Sequence, residues 1–349
     1  MTIAFDRRAL IAAMGGALIA AKAPAAPGTD PAPAFVKPPR LRPGDTVGLI
    51  EPAGFTDDAF DLDLVKETIA AMGLKPRPAR HLVERYGYLA GKDADRAADV
   101  NALYADPDVR AIFAVRGGWG CARILPFLDF KTIRAHPKLL IGFSDITALH
   151  LAFAARAGFT TIHGPNASAS WPGFSWDAFR AIAFDGATPT LVNPVGREDR
   201  LVQRIGRIRT FRSGTASGRL LGGNLTVLAA LMGTPWLPDF TGAILFLEDT
   251  NEAPYRIDRM LTQLALGGVL GKLAGVVFGQ CTGCAAEGPS YGGFTLSEVL
   301  QQHLEPLGIP AFQGAQFGHV ASQFSLPVGI GAQIDADAGT IRLLEPAVI

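Results

Sequence analysis

Leu139-Leu140-Ile141-Gly142-Phe143-Ser144-Asp145-Ile146-Thr147-Ala148-Leu149-His150 is the stretch from which the fold is read. Its first part, a short apolar run ending at Gly142, has the length and content of a buried strand. The spacing then changes, and Leu149, Phe153 and Ala154 share one helical face. Ser144 and Asp145 stand at the junction. Asp145 suits an N-cap, where its carboxylate accepts from the unpaired amides of the first turn. A strand that turns straight into a helix holds its corner residue in the open, near the positive helix end. A serine there is either an ordinary turn residue or a nucleophile. G-F-S-D-I departs from the G-x-S-x-G elbow at its last glycine.

Outward from this junction, strands and helices alternate. Strands are expected at 46–50, 109–115, 138–143 and 160–162, with helices at 60–72, 94–104, 122–128 and 146–157. Such alternation implies right-handed crossovers and a mostly parallel sheet. Ligands of such sheets bind at the carboxyl ends of the strands. Ser144, the Arg116-to-Gly120 loop and His163-Gly164-Pro165 all fall at such ends. The loop R-G-G-W-G lacks the spacing of a dinucleotide fingerprint and the Lys-Ser/Thr of a phosphate loop. Adjacent glycines also let a backbone approach a ligand closely. The amides of Gly117 and Gly118, with that of Asp145, are therefore candidates for an oxyanion hole. A tight strand-to-helix turn accounts for the same glycines.

Beyond a helix at 176–184 the pattern loosens, and 186–217 reads as a Gly-, Pro- and Arg-containing linker. Helices are expected at 225–232, 256–266 and 295–304, strands at 243–247 and 273–278, and extended chain at 311–317. The tail reads as a hairpin turning at Asp337-Ala338-Gly339. Glu248 and Asp249 end one strand, and pattern alone leaves open which of the two matters. His319 follows a glycine at another strand end. His163 is a rival base, whereas His150 lies two helical turns beyond Ser144 and points away from it.

The chain has 349 residues, 48% hydrophobic and 18% charged, enough for a large core and two domains. Its 32 basic and 32 acidic residues cancel, and no basic stripe with interleaved aromatics suggests nucleic acid. Cys281 and Cys284 form a lone C-x-x-C without the second pair or histidines that zinc needs, and read as loop thiols or an incidental disulfide. At the N-terminus, Arg7-Arg8, an apolar stretch to Ala21 and Ala23-Pro24-Ala25 have the layout of a twin-arginine-like export signal. The apolar run is too short to span a membrane. The expected organisation is export signal 1–25, linker 26–43, N-terminal domain 44–185, linker 186–217 and C-terminal domain 218–349. An extracytoplasmic, periplasmic location follows, with the cytoplasm as the alternative.

Several motifs occur in one order: Ala90-Gly91 with Arg96, Val115-Arg116-Gly117-Gly118-Trp119-Gly120, Gly142-Phe143-Ser144-Asp145-Ile146-Thr147 and His163-Gly164-Pro165. Gly222-Gly223-Asn224-Leu225, Leu247-Glu248-Asp249, Pro254-Tyr255-Arg256-Ile257-Asp258-Arg259 and Gly318-His319 follow. In these the chain resembles the LD-carboxypeptidase family, which includes murein tetrapeptide carboxypeptidases and microcin C immunity peptidases. The resemblance covers nearly everything after residue 44. It implies an α/β fold: a Rossmann-like or flavodoxin-like N-terminal domain with a mostly parallel sheet, and a smaller mixed C-terminal domain rich in β structure. It also implies a triad of Ser144 as nucleophile, His319 as general base and Glu248 as its orienter, divided between the domains; with base and nucleophile on different domains, closure is expected to align or misalign them. Arg116, Arg256 and Arg259 are candidates to grip a substrate carboxylate. The expected reaction is cleavage before the terminal D-Ala of a murein tetrapeptide, without metal or organic cofactor, by a homodimer. The alternatives are a microcin-type amidase, with Trp119, Trp171 or Trp176 stacking a base, a periplasmic binding protein without chemistry, and a metallopeptidase using His163, His319 and Glu248.

Overall fold

Apolar runs with little polar alternation become strands covered on both faces, as parallel sheets require. The buried strands β1 (Thr46–Ile50), β3 (Val109–Ala114), β4 (Leu139–Gly142) and β5 (Thr161–His163), together with the more exposed edge strand β2 (Lys75–Pro78), are mutually parallel. The second part of the chain supplies β6 (Thr190–Leu191), β7 (Arg209–Arg212), β8 (Thr215–Asn224), β9 (Ile244–Thr250), β10 (Gly275–Thr282) and β11 (Ala311–Gln313). It ends with β12 (Leu326–Val328), β13 (Gly331–Asp335) and β14 (Thr340–Leu343). The computed structural model describes residues 35–194, 206–284 and 293–349. The expected signal at 1–25 lies outside them, and no helix of the described residues is long and apolar enough to cross a membrane.

Two sheets result. The first has the order β12-β5-β4-β3-β1-β2, and the second β6-β14-β13-β8-β9-β10-β11-β7. In the second, β8 to β11 form a parallel centre flanked by antiparallel strands. The architecture is the α/β one read from the sequence. Helices Ala59–Ala71, Asp93–Ala105 and Thr147–Arg156 cross over in the first part, and Pro254–Leu266 and Leu296–Leu304 in the second. Their starts follow capping chemistry: Asp58 accepts from the Phe60 amide, and Thr295 and Glu298 form a reciprocal capping box. The hairpin β13–β14 turns where the sequence places it.

Three boundaries differ from expectation. Part of the stretch read as linker at 26–43 is packed: Val36 bridges to Phe159, Arg40 donates to the Ile349 carbonyl at 2.9 Å, and Leu41 is buried. The stretch 186–217 carries β6, β7 and the start of β8 rather than a bare linker. Its Arg- and Thr-rich strands lie at sheet margins, where burial does not demand an apolar run. Finally, β12 leaves the second part and joins β5 antiparallel, so the first sheet is completed from residues beyond 218. One apolar core runs through residues of both sheets.

The parallel centre depends on one backbone position. Gly222 has φ +149°, and a Cβ there would stand 1.8 Å from the Phe246 carbonyl oxygen of the neighbouring strand. Neither strand can yield without breaking its ladder, so Gly222→Ala should cost about 3 kcal/mol or more. Urea denaturation checks this as a lowered midpoint at unchanged m-value.

Candidate active site

The end of β4 is shaped by glycine and by a buried histidine. Gly142 has no room for a side chain, because a Cβ would lie 2.8 Å from the Asn166 Oδ1. Its carbonyl accepts from His150 Nε2 at 2.9 Å, while His150 Nδ1 meets Thr161 Oγ1 at 2.8 Å. A carbonyl only accepts, so Nε2 carries the proton and Nδ1 is the acceptor. Burial pushes the His150 imidazole down to about 4, which keeps it a neutral brace beneath the turn. Ser144 follows with φ +65°, a left-handed conformation uncommon outside glycine. The serine thus sits on a strained corner.

Across from it, β9 ends at Glu248, which is fully buried, and His319 follows β11. His319 Nδ1 lies 2.7 Å from Glu248 Oε2, and His319 Nε2 lies 3.1 Å from Ser144 Oγ. A carboxylate accepts, so Nδ1 donates to Glu248 and Nε2 faces the serine hydroxyl as acceptor. Small residues make the approach possible. A Cβ on Gly318 would stand 2.8 Å from the Glu248 carboxylate, and one on Gly117 would stand 2.9 Å from the Ser144 Cβ. The Phe143 ring lies 4.8 Å from the His319 ring, and Thr282 Oγ1 donates to the His319 carbonyl at 2.7 Å. Thr282 is itself held between Cys281 and Cys284, which form a disulfide. All three residues meet within one compact unit, with no closure needed to join them.

The alternation of β9 separates its two carboxylates. Asp249 accepts from Asn224 Nδ2, Thr226 N and Thr226 Oγ1, tying β9 to the start of the helix Leu225–Ala230. Burial raises its carboxyl above the usual range. Asp145 does not cap its own helix. Its Oδ2 accepts from the Cys121 amide at 2.7 Å, so it anchors the chain after Gly120, and Ser144–Ile146 winds as a 3-10 turn instead. His163 is buried between Phe143 and Phe246, neither ring nitrogen has a partner among the described residues, and burial holds it well below its ordinary value. It makes no hydrogen bond to Ser144 among the described residues, whereas His319 does.

The remaining candidates divide. Arg116 is exposed, donates from Nη1 to the Phe55 carbonyl at 2.7 Å, and lines a cavity of about 450 Å³ with Thr56, Asp61, Ser168 and Ser170. Arg256 and Arg259 flank Tyr255 on an exposed helix face, and Arg256 pairs with Glu252 at 3.7 Å. Gly117 packs against the Ser144 side chain, and Gly118 against Gly54. Trp171 and Trp176 pack on Phe179, whereas Trp119 is exposed. No cluster of three or more metal-binding side chains occurs among the described residues. Sequence reasoning missed Glu51 at the end of β1, a buried carboxyl raised to about 7 mainly by burial.

A hydroxyl, an imidazole and a buried carboxylate joined in series at strand ends can activate a nucleophile for acyl transfer. The chain belongs to the LD-carboxypeptidase family: the family's N-terminal domain matches residues 47–164 and its C-terminal domain residues 217–334. It is 35% identical to the probable murein peptide carboxypeptidase of Bacillus subtilis, covering 86% of this chain and 91% of that one. It is 32% identical to the murein tetrapeptide carboxypeptidase of Pseudomonas aeruginosa, covering 83% of this chain and 93% of that one. The structure matches that of the microcin C7 self-immunity protein MccF with a TM-score of 0.81 at 25% identity, over 90% of this chain and all of that one.

The Glu51 shift carries a stability sign. A carboxyl whose folded value is about 7 against an ordinary 4.5 favours the protonated folded state. Its contribution is whole below the unfolded value and is lost as pH rises through about 7. Glu51→Gln, which mimics the neutral acid, should leave stability unchanged near pH 4 and raise it by about 1–3 kcal/mol near pH 8. Thermal melts across pH check this.

Proposed function

We propose that the protein is a serine LD-carboxypeptidase that releases the terminal D-Ala from a murein tetrapeptide. The bond cut joins the L-centre of a diaminopimelate or Lys residue to that D-Ala. The observation that carries the reading is the series Ser144–His319–Glu248, with 3.1 Å and 2.7 Å links. The names of the Bacillus and Pseudomonas relatives support the substrate class.

In this mechanism His319 Nε2 takes the Ser144 proton as Oγ attacks the scissile carbonyl. Glu248 holds the imidazole in the required tautomer and stabilises the cation that forms. The tetrahedral oxyanion is met by backbone amides at Gly117, Gly118 and Asp145. His319 then gives its proton to the departing D-Ala amine. Water, deprotonated by the same imidazole, releases the peptide from Ser144. The steps call for no metal ion or organic cofactor. Arg116, which precedes Gly117 in the chain and lines a cavity of mixed polar and apolar walls, is the first candidate to read a carboxylate of the substrate, and Arg256 the second. Export through the N-terminal segment to a periplasmic site, and assembly as a homodimer, complete the reading.

The likeness to MccF favours a second substrate, an acylated nucleotide analogue cleaved by the same three residues. Of the tryptophans considered for stacking its base, Trp119 has the exposure this needs. Offering both substrates side by side separates the two.

Mass spectrometry of tetrapeptide incubated with enzyme should show D-Ala release by the wild type and a loss of about 10³-fold or more in Ser144→Ala. No release, or release undiminished by that substitution, would overturn the assignment. Glu248→Gln should lower kcat by on the order of 10³–10⁴ with little change in KM, because the wrong imidazole tautomer is favoured. Steady-state kinetics read it directly.

A further inference from the structure

We propose that Glu51 is a positioning residue for Ser144, bracing the loop after β1 and, through it, the Gly117 backbone that flanks the nucleophile. The inference rests on Ser144 being the nucleophile and not on which peptide it cuts.

Glu51 sits at the carboxyl end of β1 and is 4% exposed. Its Oε1 accepts from both the amide and the hydroxyl of Thr56, closing a loop of a few residues onto the strand that bears it. The loop is tied to its neighbours at nearly every carbonyl. Pro52 O accepts from the buried Arg96, which also holds Gly120 O at 3.1 Å. Ala53 O accepts from the Ala90 amide, Phe55 O from Arg116, and Thr56 O and Asp57 O from Arg85. At its tip, Gly54 N donates to Gly117 O at 3.2 Å, and a Cβ on Gly118 would stand 3.2 Å from Gly54 N. Gly117 is therefore held between this loop and Ser144, with no space for a methyl group on the serine side. A shift of a few tenths of an ångström in the loop is passed to the corner, because two backbones in contact do not compress.

The second oxygen, Oε2, is buried and has no partner among the described residues. Two cations face this carboxyl, Arg116 from the β3 end and Arg85 from the loop before Arg96, while burial opposes them more strongly. The carboxyl consequently exchanges its proton near neutrality. In its ionised form both Thr56 hydrogen bonds are charge-assisted and Arg116 is drawn in, so the brace tightens. In its protonated form the brace slackens. The ionised form is also the one that costs folding stability. A residue that merely held the fold would make activity and stability fall together. Here they move in opposite directions.

The test compares full-length wild type, Glu51→Gln and a Ser144→Ala blank in two assays. The first is the second-order rate of labelling by a fluorophosphonate, in which Ser144 Oγ bonds to phosphorus, fluoride leaves and the hydroxyl proton passes to His319. The second is D-Ala release from tetrapeptide. The ratio of wild type to Glu51→Gln cancels every pH dependence that the two proteins share. It should be close to one near pH 5.5 and rise to about tenfold near pH 8.5, in kcat rather than KM. Over the same range Glu51→Gln should melt higher than wild type. A ratio that is flat with pH, or a loss of rate accompanied by a lower melting temperature, overturns the brace alone. Absence of labelling in the wild type overturns Ser144 as nucleophile, and the brace with it. Labelling without D-Ala release leaves the brace to be decided by the labelling ratio and overturns only the tetrapeptide assignment.

Discussion

The two hydrogen bonds of the His319 ring set the tolerance to which the rest is built. One reaches a carboxylate at the end of β9 in the second sheet, the other a serine after β4 in the first. Both span about 3 Å, which a hydrogen bond requires, so the two sheets have to meet in one register. The structure meets that demand with backbone rather than with large side chains. Ser144 accepts a left-handed φ, Gly318 yields to the Glu248 carboxylate, and Gly117 yields to the serine. Around them, His150 and Asn166 fix the end of β4 from below, through Gly142 O and the Phe143 amide.

Burial assigns different work to chemically similar groups. His150 and His163 are fully buried, which disfavours their charged forms, whereas His319 is only partly covered and stands against the hydroxyl. Asp249 and Asp145 spend their oxygens on backbone amides and hydroxyls of neighbouring segments. Glu248, one residue from Asp249, faces the other side of the strand and meets the imidazole. Identity in the sequence says little about these roles. The side of the strand and the depth below the surface decide them.

Much of this was legible beforehand because the signals are local. Apolar runs of strand length located β1, β3, β4 and β9, and the glycine before Ser144 and the one before His319 flagged corners at strand ends. What escaped detection depends on long-range partners. β2 is Lys-Pro-Arg-Pro, a sequence that argues against a strand until one sees it at a sheet edge, where proline is tolerated. β8 contains Gly218, Gly222 and Gly223, which mask its strand character, although those glycines serve close contact with β9 and with Thr147. β12 is three residues long, too short for periodicity to register. Asp145 looked like a cap because its neighbourhood in sequence is a helix start, but the amide it serves is at Cys121. Glu51 gave no signal at all. Its depth is created by loops that come from other parts of the chain.

The return of the chain through β12 has a consequence for modularity. The histidine that reaches into the site is followed, seven residues later, by a strand hydrogen-bonded to β5 of the other sheet. The boundary between the two family segments is thus a boundary in sequence but not in hydrogen bonding. A fragment cut there would carry β5 with a bare edge, the kind of surface that recruits foreign strands. Neither half is a free-standing building block, and shuffling either one between relatives would have to carry this short graft along with it.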